Sequence, residues 1–189
     1  YPIRYAFKVD SALFVSLDAT MPGSLSDQQY DWLKSILQKH DDLRTKVVYG
    51  HLPLVPFAEG RQREVLADAR LERLLNTHDV DVMFSGHHHA YYPGRRGDLR
   101  LVGLSCLGGG RRQLLGTDQP SPHSAVVMHR SSDGSISIEA HHGSGMQETV
   151  DHSDLPRSVG QGRWQVWRQD VRPPERVAEA PTSTFSIPW

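Results

Sequence analysis

Residues 84 to 94 read FSGHHHAYYPG and place His87, His88 and His89 in an unbroken row inside the chain. Neutral imidazole is a frequent ligand of zinc, manganese and iron, so the row raises the question of a metal site and of what completes it. A second Gly-His pair, Gly50-His51, lies upstream in TKVVYGHLPL. Each pair closes a short apolar run, VVY before the first and VDVMF before the second, which is the pattern of a buried strand. If the backbone stays extended past Gly86, alternation sends His87 and His89 to one side and His88 to the other.

The elements between the two pairs decide whether they meet. After the Pro-rich stretch LPLVPFAEG, the segment from about Arg61 to Thr77 carries Val65, Leu66, Ala69, Leu74 and Leu75 as an apolar stripe. That spacing predicts a helix of about four turns. Strand, helix and strand make a βαβ unit whose strands run parallel, because the helix returns the chain to the starting edge. The two strand ends then share one rim of the sheet, where open α/β sheets bind ligands. His51 and His87 are therefore expected to bring side-chain nitrogens within about 5 Å, close enough to share an ion, with His89 as a third convergent imidazole.

The flanking segments carry less chemistry. YAFKVDSALFVSLDA reads as a hairpin turning at Asp10-Ser11; it has no start methionine before it and is expected to be cut from something larger. Ser26 followed by Gln29 has the form of a capping box, and Trp32, Leu33, Ile36 and Leu37 predict a helix from about Asp27 to His40. GGGRRQLLGTDQPSP is a loop in which Arg111 and Arg112 offer guanidinium groups to a substrate phosphate. Tyr91 and Tyr92 are candidates for a pocket wall or for packing. SAVVMHRSSDGSISIEAHH reads as a hairpin around Asp133-Gly134. His141 and His142 read as solvated turn residues, as do His40, His78, His123, His129 and His152. From Met146 the composition turns to Pro, Arg, Ser and Glu, so residues 1–145 are taken as the folded unit and 146–189 as a poorly ordered or peripheral tail.

The 189 residues suffice for one domain, and 38% hydrophobic residues suffice for a core. A formal net charge of -1 leaves no basic footprint for nucleic acid. Cys106 is alone, so no intramolecular disulfide forms. No apolar run approaches the ~18 residues of a membrane span.

VVYGHLPL followed by FSGHHHAYYPG resembles the second half of a calcineurin-like metallophosphoesterase, closest to the purple acid phosphatase-like branch. That family's pattern runs D-x-H, G-D-x-x-D, G-N-H-D/E, a lone His and G-H-x-H. Leu17-Asp18, Gln28 to Leu33, His51 to Pro53, Gly86 to Tyr91 and the strand and glycine turn LVGLSCLGGG follow its order. The resemblance implies an α/β fold, part of a two-sheet sandwich flanked by helices and lacking its N-terminal half. It implies two divalent or trivalent ions (Fe, Zn or Mn), with His51 and His87 on one and His89 on the other. Such a pair clamps a phosphate ester and activates water against it. The substrate side would include His88, Tyr91 and Arg111. No D-x-H is present, the Gly97-Asp98 pair falls after G-H-x-H, and Asn76, the only asparagine, precedes Thr77. The expectation is therefore a fragment of a phosphomonoesterase or phosphodiesterase, inactive alone, whose partner is the missing half of its own domain. The alternative is a non-catalytic degenerate relative that binds a metal or a partner. Substrate, metal identity and compartment stay open, export or a periplasmic location included. Without the missing strands, Val47, Val48, Val82 and Phe84 are expected to lie exposed.

Overall fold

The computed structural model describes residues 4–174. β1 (Tyr5–Val9) and β2 (Ala12–Ser16) form the expected hairpin, with Asp10 in the left-handed region at φ 52°, where a short polar side chain is tolerated. α1 covers Asp27–Lys39, and Ser26 Oγ accepts from the Gln29 N–H. The expected capping box is only half made, because the Gln29 amide turns away from Ser26. It accepts from the Asp18 N–H and donates to the Asp18 carbonyl, both at 2.7 Å, and so ties the helix to the end of β2.

β3 (Thr45–Gly50), α2 (Ala69–Thr77) and β4 (Val82–Ser85) form the βαβ unit, with Val47 to Gly50 pairing in parallel with Val82 to Ser85. The helix is shorter than the stripe predicts. The buried Asp68 carboxylate accepts from the N–H groups of Arg70 and Leu71, which starts α2 at Ala69, and also from the Leu25 N–H. Val65 and Leu66 are buried, yet they reach the core from a loop, held by Gly23 N–H to Val65 O and Leu66 N–H to Pro53 O.

β5 (Tyr92–Arg96) and β6 (Leu99–Gly103) follow as a hairpin, and β6 lies parallel to β4. β7 (Ser124–Arg130), β8 (Ile136–His142) and β9 (Glu148–Thr149) make a separate three-stranded sheet. β10 (Ser158–Val159) and β11 (Val166–Arg168) return to the large sheet, whose order is β1-β2-β3-β4-β6-β5-β11-β10. These two strands belong to the segment expected as a poorly ordered or peripheral tail, and they lie at the edge of the large sheet. β11 pairs with β5, and Val159, Val166 and Val171 are buried. The approach at that seam needs Gly94, since a Cβ there would stand 2.4 Å from Val166 Cγ1. The rest of the expected tail, residues 175–189, lies outside the described residues.

Alternation along the strands sends side chains into two cores. Leu13, Val15, Val48, Met83 and Leu101 pack under α1, α2 and the 52–66 loop. Val47, Val82 and Val102 face the small sheet through Ile138 and Ala140, with Phe14, Phe84, Val126 and Met128 partly buried around them. The expected exposure of Val47, Val48 and Val82 is corrected: all three are at most 2% accessible, because the small sheet covers Val47 and Val82 while the helices and the 52–66 loop cover Val48 on the opposite face. Among the described residues, no helix is long and apolar enough to cross a membrane.

Candidate metal centre

The parallel pairing that aligns Gly50 with Ser85 puts His51 and Gly86 side by side, joined by the Gly86 N–H to His51 O hydrogen bond at 3.1 Å. Here the structure departs from the extended path. β4 stops at Ser85, the His88 N–H folds back on Gly86 O, and His87 and His89 adopt φ 59° and 47°. Two non-glycine residues in the left-handed region, with one residue between them, cost about 1 to 2 kcal/mol each. Strain of this kind collects where a site needs side chains aimed against the local preference.

The turn separates the three rings. His87 Nδ1 lies 2.9 Å from His51 Nε2, with ring centroids 4.8 Å apart. The other nitrogen of His87 meets the Glu64 carboxylate, and Arg61 grips both oxygens of that carboxylate at 2.6 Å. Arg61 first and His87 second hold the Glu64 carboxyl below the usual carboxylate range. Desolvation, followed by the nearby His87 and His89, lowers the pKa of His51. His89 Nδ1 donates to the Gly110 carbonyl at 2.8 Å, which in the neutral ring leaves the lone pair on Nε2.

Two of the expected substrate contacts do not stand at this surface. His88 is fully buried; its Nδ1 accepts from the Phe57 N–H and its Nε2 donates to Glu64 O, which leaves no nitrogen for a substrate. Burial holds its pKa down at about 4, so the ring is neutral. Tyr91 is 1% accessible, packs in the core between the sheets, and shares a hydrogen bond with His152. His152 is therefore half-buried structure, not a solvated turn residue. His123 also has a fixed role, bonding Gly109 O at 3.0 Å, and His78 caps α2 and bonds Asp41. Arg111 is exposed on the wall of a depression shared with His123 and His142.

Two nitrogens 2.9 Å apart fit one ion at bonds of about 2.1 Å and an angle of about 90°. His51 is exposed, so the pair is open to solvent. Among the described residues, no three His, Cys, Asp or Glu side chains are placed to enclose an ion. His51 and His87 could thus supply at most two ligands, on one side of an ion. Glu64 is the residue that sequence reasoning missed: the helical stripe made it a solvated position, and only its i,i+3 relation to Arg61 marked it.

A family profile described as calcineurin-like phosphoesterase matches residues 6–91. The chain is 35% identical to purple acid phosphatase 15 of Arabidopsis thaliana over 98 residues, half of this chain and 18% of that protein. It is 32% identical to purple acid phosphatase 18 of the same plant over 147 residues, 68% of this chain and 32% of that protein. Residues 6–91 are calcineurin-like phosphoesterase sequence, and the chain is similar to purple acid phosphatases. The fold agrees with that of the purple acid phosphatase PPD1 from yellow lupin (Lupinus luteus) seeds, at a TM-score of 0.55 and 12% identity over 78% of this chain and 31% of that one. The chain spans a third or less of the length of these curated relatives.

Proposed function

We propose that this chain supplies the His-rich side of a dinuclear centre in a longer phosphoesterase, with His51 and His87 on one ion and His89 on the other. The observation that carries this reading is the 2.9 Å approach of His51 Nε2 and His87 Nδ1 at the ends of two parallel strands. When bound, such ions act as Lewis acids on a phosphate ester and lower the pKa of water. The chain's own part is to hold the rings: Gly86 locks the two strand ends together, Glu64 holds His87, and Gly110 fixes the Nδ1 proton of His89. Arg111 is assigned to the substrate's phosphate or to another anionic group on it. Carboxylates to bridge the ions would come from sequence outside this chain, consistent with the share of the relatives that it spans.

A second reading, a non-catalytic module that binds a metal or a partner, draws on the burial of Val47, Val48 and Val82, by which the chain covers both faces of its central strands. Aryl phosphate and phosphodiester hydrolysis separates the two. A longer protein containing these residues should turn over one of them and lose that activity on His51→Ala or His87→Ala, while the 189-residue chain alone shows only background. Turnover by the chain alone that is lost on His87→Ala would refute the fragment. A longer protein with both metal motifs and no turnover would favour the module.

A further inference from the structure

We infer that Glu64, braced by Arg61, is the positioning residue that makes His87 present Nδ1 to the ion, a role that rests on the metal reading proposed above. The hydrogen-bond directions follow one from another. A carboxylate only accepts, so the His87 nitrogen facing Glu64, Nε2, must be the donor. A neutral His87 then has a bare lone pair on Nδ1, and the 2.9 Å contact requires His51 Nε2 to carry the proton that points at it. That proton occupies the space between the two nitrogens into which an ion of about 2.1 Å bond length fits. On binding, His51 gives up its Nε2 proton and takes one on Nδ1, so the ring stays neutral and no net proton is released. His87 needs no change of tautomer, because Glu64 has already set it.

The neighbouring contacts keep this arrangement from rotating. Arg61 donates to both oxygens of the Glu64 carboxylate at 2.6 Å. The Glu64 backbone carbonyl also accepts from the buried His88, so the residue is held by its main chain and its side chain at once. A free His87 has a second option: donating from Nδ1 to His51 would turn its lone pair to Nε2 and remove it from the shared site. Glu64 closes off that option. Carboxylate partners of ligand imidazoles act in this way in general, and their loss weakens metal affinity about 10- to 100-fold.

The test has two readouts, one of them independent of metal. In the metal-free chain, 15N shifts of the His87 ring should report a protonated Nε2 and a bare Nδ1. Glu64→Ala should give a mixture of tautomers, whereas Glu64→Gln, whose amide carbonyl still accepts, should keep the original one. Zn2+ binding by isothermal titration, counted as the part lost on His51→Ala, should weaken about 10- to 100-fold in Glu64→Ala and less in Glu64→Gln and Arg61→Ala. Glu59→Ala, which removes only an exposed contact to Gln62, should leave both readouts unchanged. An unaltered tautomer and a Zn2+ affinity within about twofold in Glu64→Ala would overturn the assignment. Zn2+ binding that is indifferent to His51→Ala would overturn the metal reading itself, and the tautomer measurement would still decide what Glu64 does.

Discussion

Acidification should weaken this fold through one buried ring. His88 takes up its proton only near pH 4 in the folded chain, because the ring is fully buried between Phe57 and Glu64, whereas in the unfolded chain it titrates near 6.5. Between those values the unfolded state binds more protons, so stability present above about pH 6.5 is lost as the pH falls towards 4. At pH 5 the difference amounts to about 2 kcal/mol, a large part of the stability of a small domain. Urea melts of the parent chain and of His88→Asn at pH 7.5, 6 and 5 isolate the effect. The asparagine keeps an acceptor for the Phe57 N–H and loses the donor to Glu64, so the variant should start about 1 to 3 kcal/mol less stable at pH 7.5. It should then lose about 2 kcal/mol less than the parent on going to pH 5. His51 and His152 also have lowered pKa values, chiefly through desolvation, but they titrate in both chains and cancel in the comparison. Equal losses in the two chains would refute the assignment of a neutral, doubly bonded His88.

Gly94→Ala should destabilise the chain by about 2 kcal/mol or more, because the new methyl would sit 2.4 Å from Val166 Cγ1 and 2.8 Å from the Leu101 carbonyl, and backbone cannot retreat as a side chain can. Amide exchange at Val166 to Arg168 should rise with it, and an unchanged melt would contradict the seam between β5 and β11. Gln29→Ala should cost about 1 to 3 kcal/mol and expose the Asp18 amide to exchange, since both of its 2.7 Å bonds to Asp18 disappear. A protected Asp18 amide in that variant would show that α1 is docked by other contacts.

The βαβ unit was legible because Val47, Val48, Val82 and Met83 make apolar runs that end in Gly-His, and strand parity then fixes which rim the histidines share. α2 was overread because Val65 and Leu66 fall at helical spacing while serving a loop; an apolar stripe records burial, and Asp68, whose carboxylate sets the true start, looks like any other acid in sequence. The second core was hidden for a different reason. Its strands β7 and β8 were visible as a hairpin, but nothing in their alternation says that they cover Val47 and Val82. The edge strands β10 and β11 were hidden by their length: Ser158–Val159 and Val166–Arg168 are too short to show a period, and their place in the sheet depends on Gly94 far away. At the site, the pairing of His51 with His87 followed from topology. Glu64 and the inward turn of His88 depend on positive φ values at His87 and His89, which no spacing rule anticipates.

Anomalous diffraction from crystals of this chain soaked with Zn2+ or Mn2+ tests the central claim most directly. A single strong peak is expected about 2.0 to 2.2 Å from both His51 Nε2 and His87 Nδ1. It should vanish in His87→Ala, while the ring of His88 stays buried. Ions found only at the depression lined by His123 and His142, with none between His51 and His87, would contradict it.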